Sequence, residues 1–473
     1  MTVFTSAFLE RRLFLFASPG LIAATSVIIL AVVAVLAGNT AVSKTLAAQA
    51  EFVSSQLSTL EQWRETLASA DTDGVELGPY DARPMNIQLP AILPPAPLSD
   101  FGSSGSNLYP TTTTISGWSN PADLFAEYEF ANPTPLSLGD LDLTFLVISI
   151  MPLIMVAVSF DILASDRDSG RTRLIALQAG ELSSSVWQRL LIRNGWVWGA
   201  FCIVALVSAT ILTTTADIAE RLHSCAIWLL AALIYGSFWF GLIALIGTIF
   251  RKGETVASAL FAAWATFVLA LPAIGSAFAE AAFPPPSRLA FLSEMRQGEV
   301  AAIRDTAGLT AGFLADHPEL TVSDEGVPAF YSSNFLANLE ADRRTAPILE
   351  SFNTSREKRS ELINLLQYLS PAMIADRALT EVSSGGSRRA MRFQHQAREA
   401  LSTLHERIGP AVVAKQRISI AEFDEIPPFR FQQLTIREKL TSIAPPLIYL
   451  FLISAMIIGI ASRRLSGSLE NQI

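Results

Sequence analysis

The chain has 473 residues, 51% of them hydrophobic and only 16% charged, with a net charge of −9 and a mean hydropathy of +0.39. A soluble domain carries roughly a quarter charged residues. The apolar excess gathers into blocks of about twenty, the length a helix needs to cross a hydrocarbon core of roughly 30 Å. That excludes a soluble enzyme and a disordered chain, and the acidic balance argues against a nucleic-acid partner.

Six blocks are expected to span the bilayer as helices: Gly20–Ala37, Leu143–Ala164, Gly195–Thr214, Ala226–Ile249, Val256–Ala279 and Ile443–Ala461. The fold class is therefore an all-α polytopic membrane protein. Arg11 and Arg12 precede the first block, and Glu10-Arg11-Arg12-Leu13-Phe14-Leu15 loosely resembles a twin-arginine export signal. The apolar run that follows is longer than a signal peptide's core, so it reads as a retained anchor.

Residues 39–142 hold only Lys44, Arg64 and Arg83 as bases, against about a dozen acids. This first large segment opens as a continuation of the helix, through Leu46, Phe52, Val53, Leu57, Leu60, Trp63 and Leu67. It then turns rich in Pro, Gly, Ser and Thr, which reads as a loop-rich covering layer. Arg167, Arg171, Arg173, Arg189 and Arg193 lie between spans two and three, Arg251 and Lys252 between four and five, and Arg463 and Arg464 after six. The positive-inside rule then puts both termini in the cytoplasm and residues 39–142 and 280–442 outside. The second large segment reads as a separately packed helical domain, with apolar residues at three- and four-residue spacing over 289–314, 333–366 and 388–408. The organisation is 1–38 for the N-terminus and first span, 39–142 outside, 143–279 for spans two to five, 280–442 outside, and 443–473 for the last span and tail.

Much chemistry is missing. Asp161, near the inner end of span two, is the clear ionisable residue in a span, and it reads as an interfacial carboxylate; ion-coupled carriers usually keep such groups at depth. No GxxxxGK[ST] loop is present, and Ser383-Ser384-Gly385-Gly386-Ser387 reads as a turn into a helix. Cys202 and Cys225 read as structural thiols, and the four histidines make no metal-binding spacing. No nucleophile–base set supports a membrane hydrolase.

The strongest local signal follows span two. From Asp161 to Gly180, acids and bases alternate around Gly170 and give way to apolar Leu174, Ile175 and Leu177. This describes a short amphipathic helix at 166–179, held at the inner surface by two spans and placed to carry force, or simply to anchor the loop on lipid headgroups.

The run Asp166-Arg167-Asp168-Ser169-Gly170-Arg171-Thr172-Arg173-Leu174 resembles the coupling segment of type-2 ABC exporter permeases, with Arg171 inserted where that family has Gly and Thr adjacent. The six-span plan is similar too. Pro285-Pro286-Ser287-Arg288-Leu289, Asp316-His317-Pro318-Glu319-Leu320 and Leu369-Ser370-Pro371-Ala372 resemble a subgroup of bacterial ABC permeases with a domain of unknown function.

The resemblance implies a permease subunit of an ATP-driven exporter in the bacterial inner membrane, with no enzyme activity or cofactor of its own. ATP and Mg would sit on two copies of a separate ABC ATPase subunit. The second permease would be identical or paralogous, and a periplasmic or envelope component is a further possible partner. Asp166, Arg167, Asp168, Gly170, Thr172, Arg173 and Leu174 would form the ATPase-coupling surface. Family geometry makes spans two and five candidates to line the route, with Phe160, Trp264 and Phe267 as guesses against a core-packing role. The alternative is a receptor or scaffold that binds a ligand or partner outside and needs no ATPase.

Overall fold

The computed structural model describes residues 18–73, 77–78, 81, 83–102, 109–121, 124–125, 141–168, 182–211, 217–284, 288–320, 322, 328–383 and 386–467. Among these, six helices are long and apolar enough to cross a membrane, so the all-α polytopic class holds. They belong to α1 (Ser18–Asp73), α2 (Leu143–Arg167), α3 (Leu182–Ile211), α4 (Ile218–Ile249), α5 (Gly253–Ala282) and α12 (Ile436–Gly467). Between α5 and α12 come α6 (Arg288–Arg304), α7 (Thr306–Asp316), α8 (Ala329–Leu366), α9 (Pro371–Ser383), α10 (Gly386–Val413) and α11 (Ile420–Asp424).

At 1.5 Å per residue the 56 residues of α1 extend about 80 Å, far more than a bilayer requires. The expected continuation beyond the first span is thus a stalk. Arg64 on that stalk makes a two-pronged ion pair with Asp424 of α11, at 2.9 and 3.0 Å. Gln49 donates to the Leu93 carbonyl at 2.9 Å. Leu93 directly follows β1 (Gln88–Ile92), which pairs antiparallel with β2 (Thr112–Ser116), Leu89 opposite Ile115. The threonine run that reads as loop supplies this strand, since β-branched side chains suit a half-buried pleated surface.

The two large segments meet in one core. Leu67, Met85, Ile87, Leu89 and Ile115 of the first pack with Phe335, Phe393, Leu401, Leu404 and Ile408 of the second. Both segments therefore lie on one side of the bundle, as six alternating spans require; this is the side that the positive-inside rule predicts to be the outer one. His405 of α10 is buried in this core, edge-on to Phe335 and facing the Ser116 and Gly117 carbonyls, with Nε2 unpartnered. Burial holds its imidazole below the usual histidine range, despite the two carbonyls. A lowered folded value gives stability that is present above the ordinary pKa of about 6.5 and lost as pH falls. Thermal unfolding scanned from pH 7 to 5 should show this loss, at most about 1.4 kcal/mol per pH unit. The His405→Gln variant should flatten the profile.

The spans form a second core around Trp228, Tyr235, Trp239 and Phe201. Two of its helices carry π-helical turns, Leu146–Ile150 in α2 and Ala265–Ala270 in α5. Pro152 and Pro272 follow them; a proline brings no N–H, so carbonyls upstream lose helical donors. Neighbours supply replacements: Tyr235 Oη donates to the Ile148 carbonyl and Trp264 Nε1 to Ser149, both at 2.9 Å. Ser370 Oγ donates to the Phe267 carbonyl at 2.6 Å.

That last contact shows that part of the second large segment folds back into the bundle. Phe267 is the fifteenth of the thirty residues of α5, about 20 Å along the helix from its outer end. Tyr449 of α12 donates to the Tyr368 carbonyl at 3.2 Å and stands edge-on to that ring. From this turn α9 climbs outward between α4 and α12, burying Ala372, Ile374, Ala375, Ala378, Leu379 and Val382 in the bundle core. Backbone that is not part of a span is tolerated at such depth only where protein or a water-filled cavity surrounds it.

Candidate functional site

The inner end of the bundle holds residues 166–168, the start of the expected coupling segment. α2 turns at Phe160–Asp161 and resumes as Ile162–Asp168, which lies between the inner ends of α3, α4 and α5. Two acidic residues of α2 meet two arginines of α3. Asp166, buried, pairs with Arg189, and half-exposed Asp161 accepts from Arg193 at 3.1 Å. Arg193 also donates to the Val158 carbonyl at 2.8 Å, and buried Asn194 donates to Ser159 Oγ at 2.9 Å. Arg167 crosses to α4 and donates to the carbonyls of Gly247 and Phe250, at 3.2 and 2.9 Å. A guanidinium there satisfies orphan carbonyls at a helix C-terminus and suits its partial negative charge.

Packing closes the same clamp. A Cβ on Gly247 would lie 2.9 Å from Leu163 Cδ1, so this glycine lets α4 approach the segment. The Cβ of Ala164 comes within 3.5 Å of the corresponding position on Gly253 at the start of α5. Three spans therefore grip one short helix.

Of the proposed coupling residues, Asp166 and Arg167 point back into this clamp, and Asp168 ends the helix. Gly170, Thr172, Arg173 and Leu174, with most of the expected 166–179 helix, lie outside the described residues. Arg189, Arg193 and Asn194 went unassigned by sequence reasoning, where the arginines counted only as flanking charge. A signal was present: Asp161 and Asp166 mirror Arg193 and Arg189 about the intervening residues, as antiparallel neighbours should. Phe160, Trp264 and Phe267 pack against the bundle core, and Phe267 meets Phe238 edge-on.

The outer end is closed by Pro97–Gly102. Arg221, in the first turn of α4, donates to Asp100 Oδ2 at 2.7 Å, to Pro97 O at 2.6 Å and to Ala209 O of α3 at 3.0 Å. The pair is 2% and 0% exposed. Burial pushes the Asp100 carboxyl above the usual carboxylate range, although Arg221 opposes it. Gly38 of α1 admits the segment, since a Cβ would stand 2.0 Å from the Asp100 carbonyl oxygen. Thr144 of α2 donates from its N–H and its hydroxyl to the Phe101 carbonyl, each at 3.0 Å, and Phe101 meets Trp228 edge-on. One loop thus ties together the outer ends of four spans.

A family model described as a domain of unknown function (DUF3526), found in ABC-transporter-like membrane proteins, matches residues 288–432. That stretch runs from α6 through α11 and contains the folded-back α9. No curated protein matches the chain.

Proposed function

We propose that the chain is the membrane-spanning permease subunit of an ATP-driven ABC exporter of the bacterial inner membrane. The observation that carries this reading is the inner clamp. The helix beginning at Ile162 is fixed to α3 by Asp166–Arg189 and to α4 by Arg167, so force applied beyond Asp168 reaches several spans at once. The six spans, the domain match and the likeness of residues 166–174 to a coupling segment support it.

Because the chain has no phosphate-binding loop, ATP and Mg belong to two ATPase subunits docked below a pair of permeases, identical or paralogous. The ATPases close on ATP and bind one conformation of the permease pair better than the other; that difference drives the switch. The outer segments, with their shared core, would gate the outer mouth or dock an envelope component. This subunit is not itself an enzyme.

Purification of the tagged chain in mild detergent tests the assignment. An ABC ATPase subunit is expected to co-purify at one copy per permease. A chain that purifies without an ATPase supports the receptor or scaffold alternative instead.

A further inference from the structure

α9 has two faces. One is apolar and buried against α4 and α12. On the other, Met373, Asp376, Arg377 and Thr380 recur at three- and four-residue spacing; Asp376 is exposed and its neighbours are half-buried. The Thr380 hydroxyl donates to the Asp376 carboxylate. Met373 Cε lies 3.7 Å from the position of a Cβ on Gly275, which places the stripe beside the outer half of α5. The large exposed side chains of that half include Leu269, Ile274 and Phe278, with Ser276 and, near the outer end, Glu280 exposed as well.

A bilayer accepts Leu269, Ile274 and Phe278 of α5 but not the Asp376–Arg377 stripe of α9. An ionised side chain facing hydrocarbon costs about 2.5–3.5 kcal/mol or more, so such groups face water or protein. Asp376 keeps accessible surface although its helix starts at mid-span depth and protein atoms crowd its carboxylate.

We infer that the Asp376–Arg377–Thr380 stripe lines a water-filled passage in the outer half of the bundle and holds the head group of a transported amphiphile. A cationic or donor-rich head suits Asp376, and an apolar tail suits the adjoining Leu269–Phe278 face of α5. The inference rests on the exporter reading for the word transported; the passage itself does not.

Cysteine accessibility tests it in intact cells, in a chain whose Cys202 and Cys225 are alanine. Met373→Cys, Asp376→Cys and Thr380→Cys should react with a charged, membrane-impermeant methanethiosulfonate at least ten times faster than the lipid-facing Ile274→Cys. Equal rates across the four, in variants that elute as the parent does, overturn the passage. Sub-micellar dodecyltrimethylammonium should slow labelling of Thr380→Cys severalfold, and adding Asp376→Asn should abolish that protection. Protection by dodecyl sulfate instead, or by neither amphiphile, overturns the head-group assignment. Labelling requires no ATPase, so a chain without one that still shows the pattern would remove the exporter reading and keep the passage.

Discussion

Arg221→Met is expected to destabilise the protein by about 3–5 kcal/mol, the usual cost of leaving one member of a buried ion pair behind. Asp100 would keep its place at 0% exposure, with Oδ1 already unpartnered and Oδ2 now without the guanidinium. The carbonyls of Pro97 and Ala209 would lose their bonds to the guanidinium as well. The loss should appear in thermal unfolding in detergent and in earlier proteolysis of the 97–102 loop. Asp100→Leu combined with Arg221→Met should recover most of the deficit, because an apolar pair of similar volume removes the desolvation cost along with the attraction. A single variant as stable as the parent would mean that the loop does not seal the outer ends of the spans.

Arg189→Gln should act at the other end and in another way. Asp166 is buried and would lose its ion-pair partner on α3, while Arg167 would keep its grip on α4. The substitution leaves the residues beyond Asp168, proposed to bind the ATPase, unchanged, so assembly should survive. The ATP-driven rearrangement of α3 should fall about tenfold or more, since a coupling loss of 1.4 kcal/mol suffices. Asp166→Arg with Arg189→Asp restores opposite charges across the same gap and should recover part of the response; failure of that swap alongside full activity of Arg189→Gln would discard the clamp.

Much of this architecture is legible in the sequence because a bilayer enforces it. Blocks of about twenty apolar residues leave little choice but spanning helices, and flanking arginines set their direction. The stalk beyond Ala37 is equally visible, in the helical spacing that runs on to Leu67. What stays hidden depends on long-range pairing. Nothing near Arg221 announces Asp100, 121 residues away in sequence. α9 hides for another reason: Asp376, Arg377 and Glu381 make Pro371–Ser383 look like a soluble helix, and only its packing against α4 and α12 places it in the bundle. Leu369-Ser370-Pro371-Ala372 drew notice as a motif, yet its role as the turn below α9 needed the Ser370–Phe267 contact. At the inner end, Asp166 and Arg167 of the expected coupling segment are held by contacts within the chain, and Asp161 and Asp166 were readable as partners of α3 only with an antiparallel pairing of α2 and α3 in mind.

The central claim is that nucleotide on a partner moves this bundle through the segment after α2. The most direct measurement is the distance between spin labels at Ser184→Cys on α3 and Lys252→Cys before α5, in the assembled complex with Cys202 and Cys225 replaced by alanine. The account predicts a distance distribution that shifts when ATP and Mg are added and stays put when Arg189→Gln is present. An unchanged distribution in the complex with intact Arg189, with ATPase subunits bound and nucleotide saturating, would contradict it.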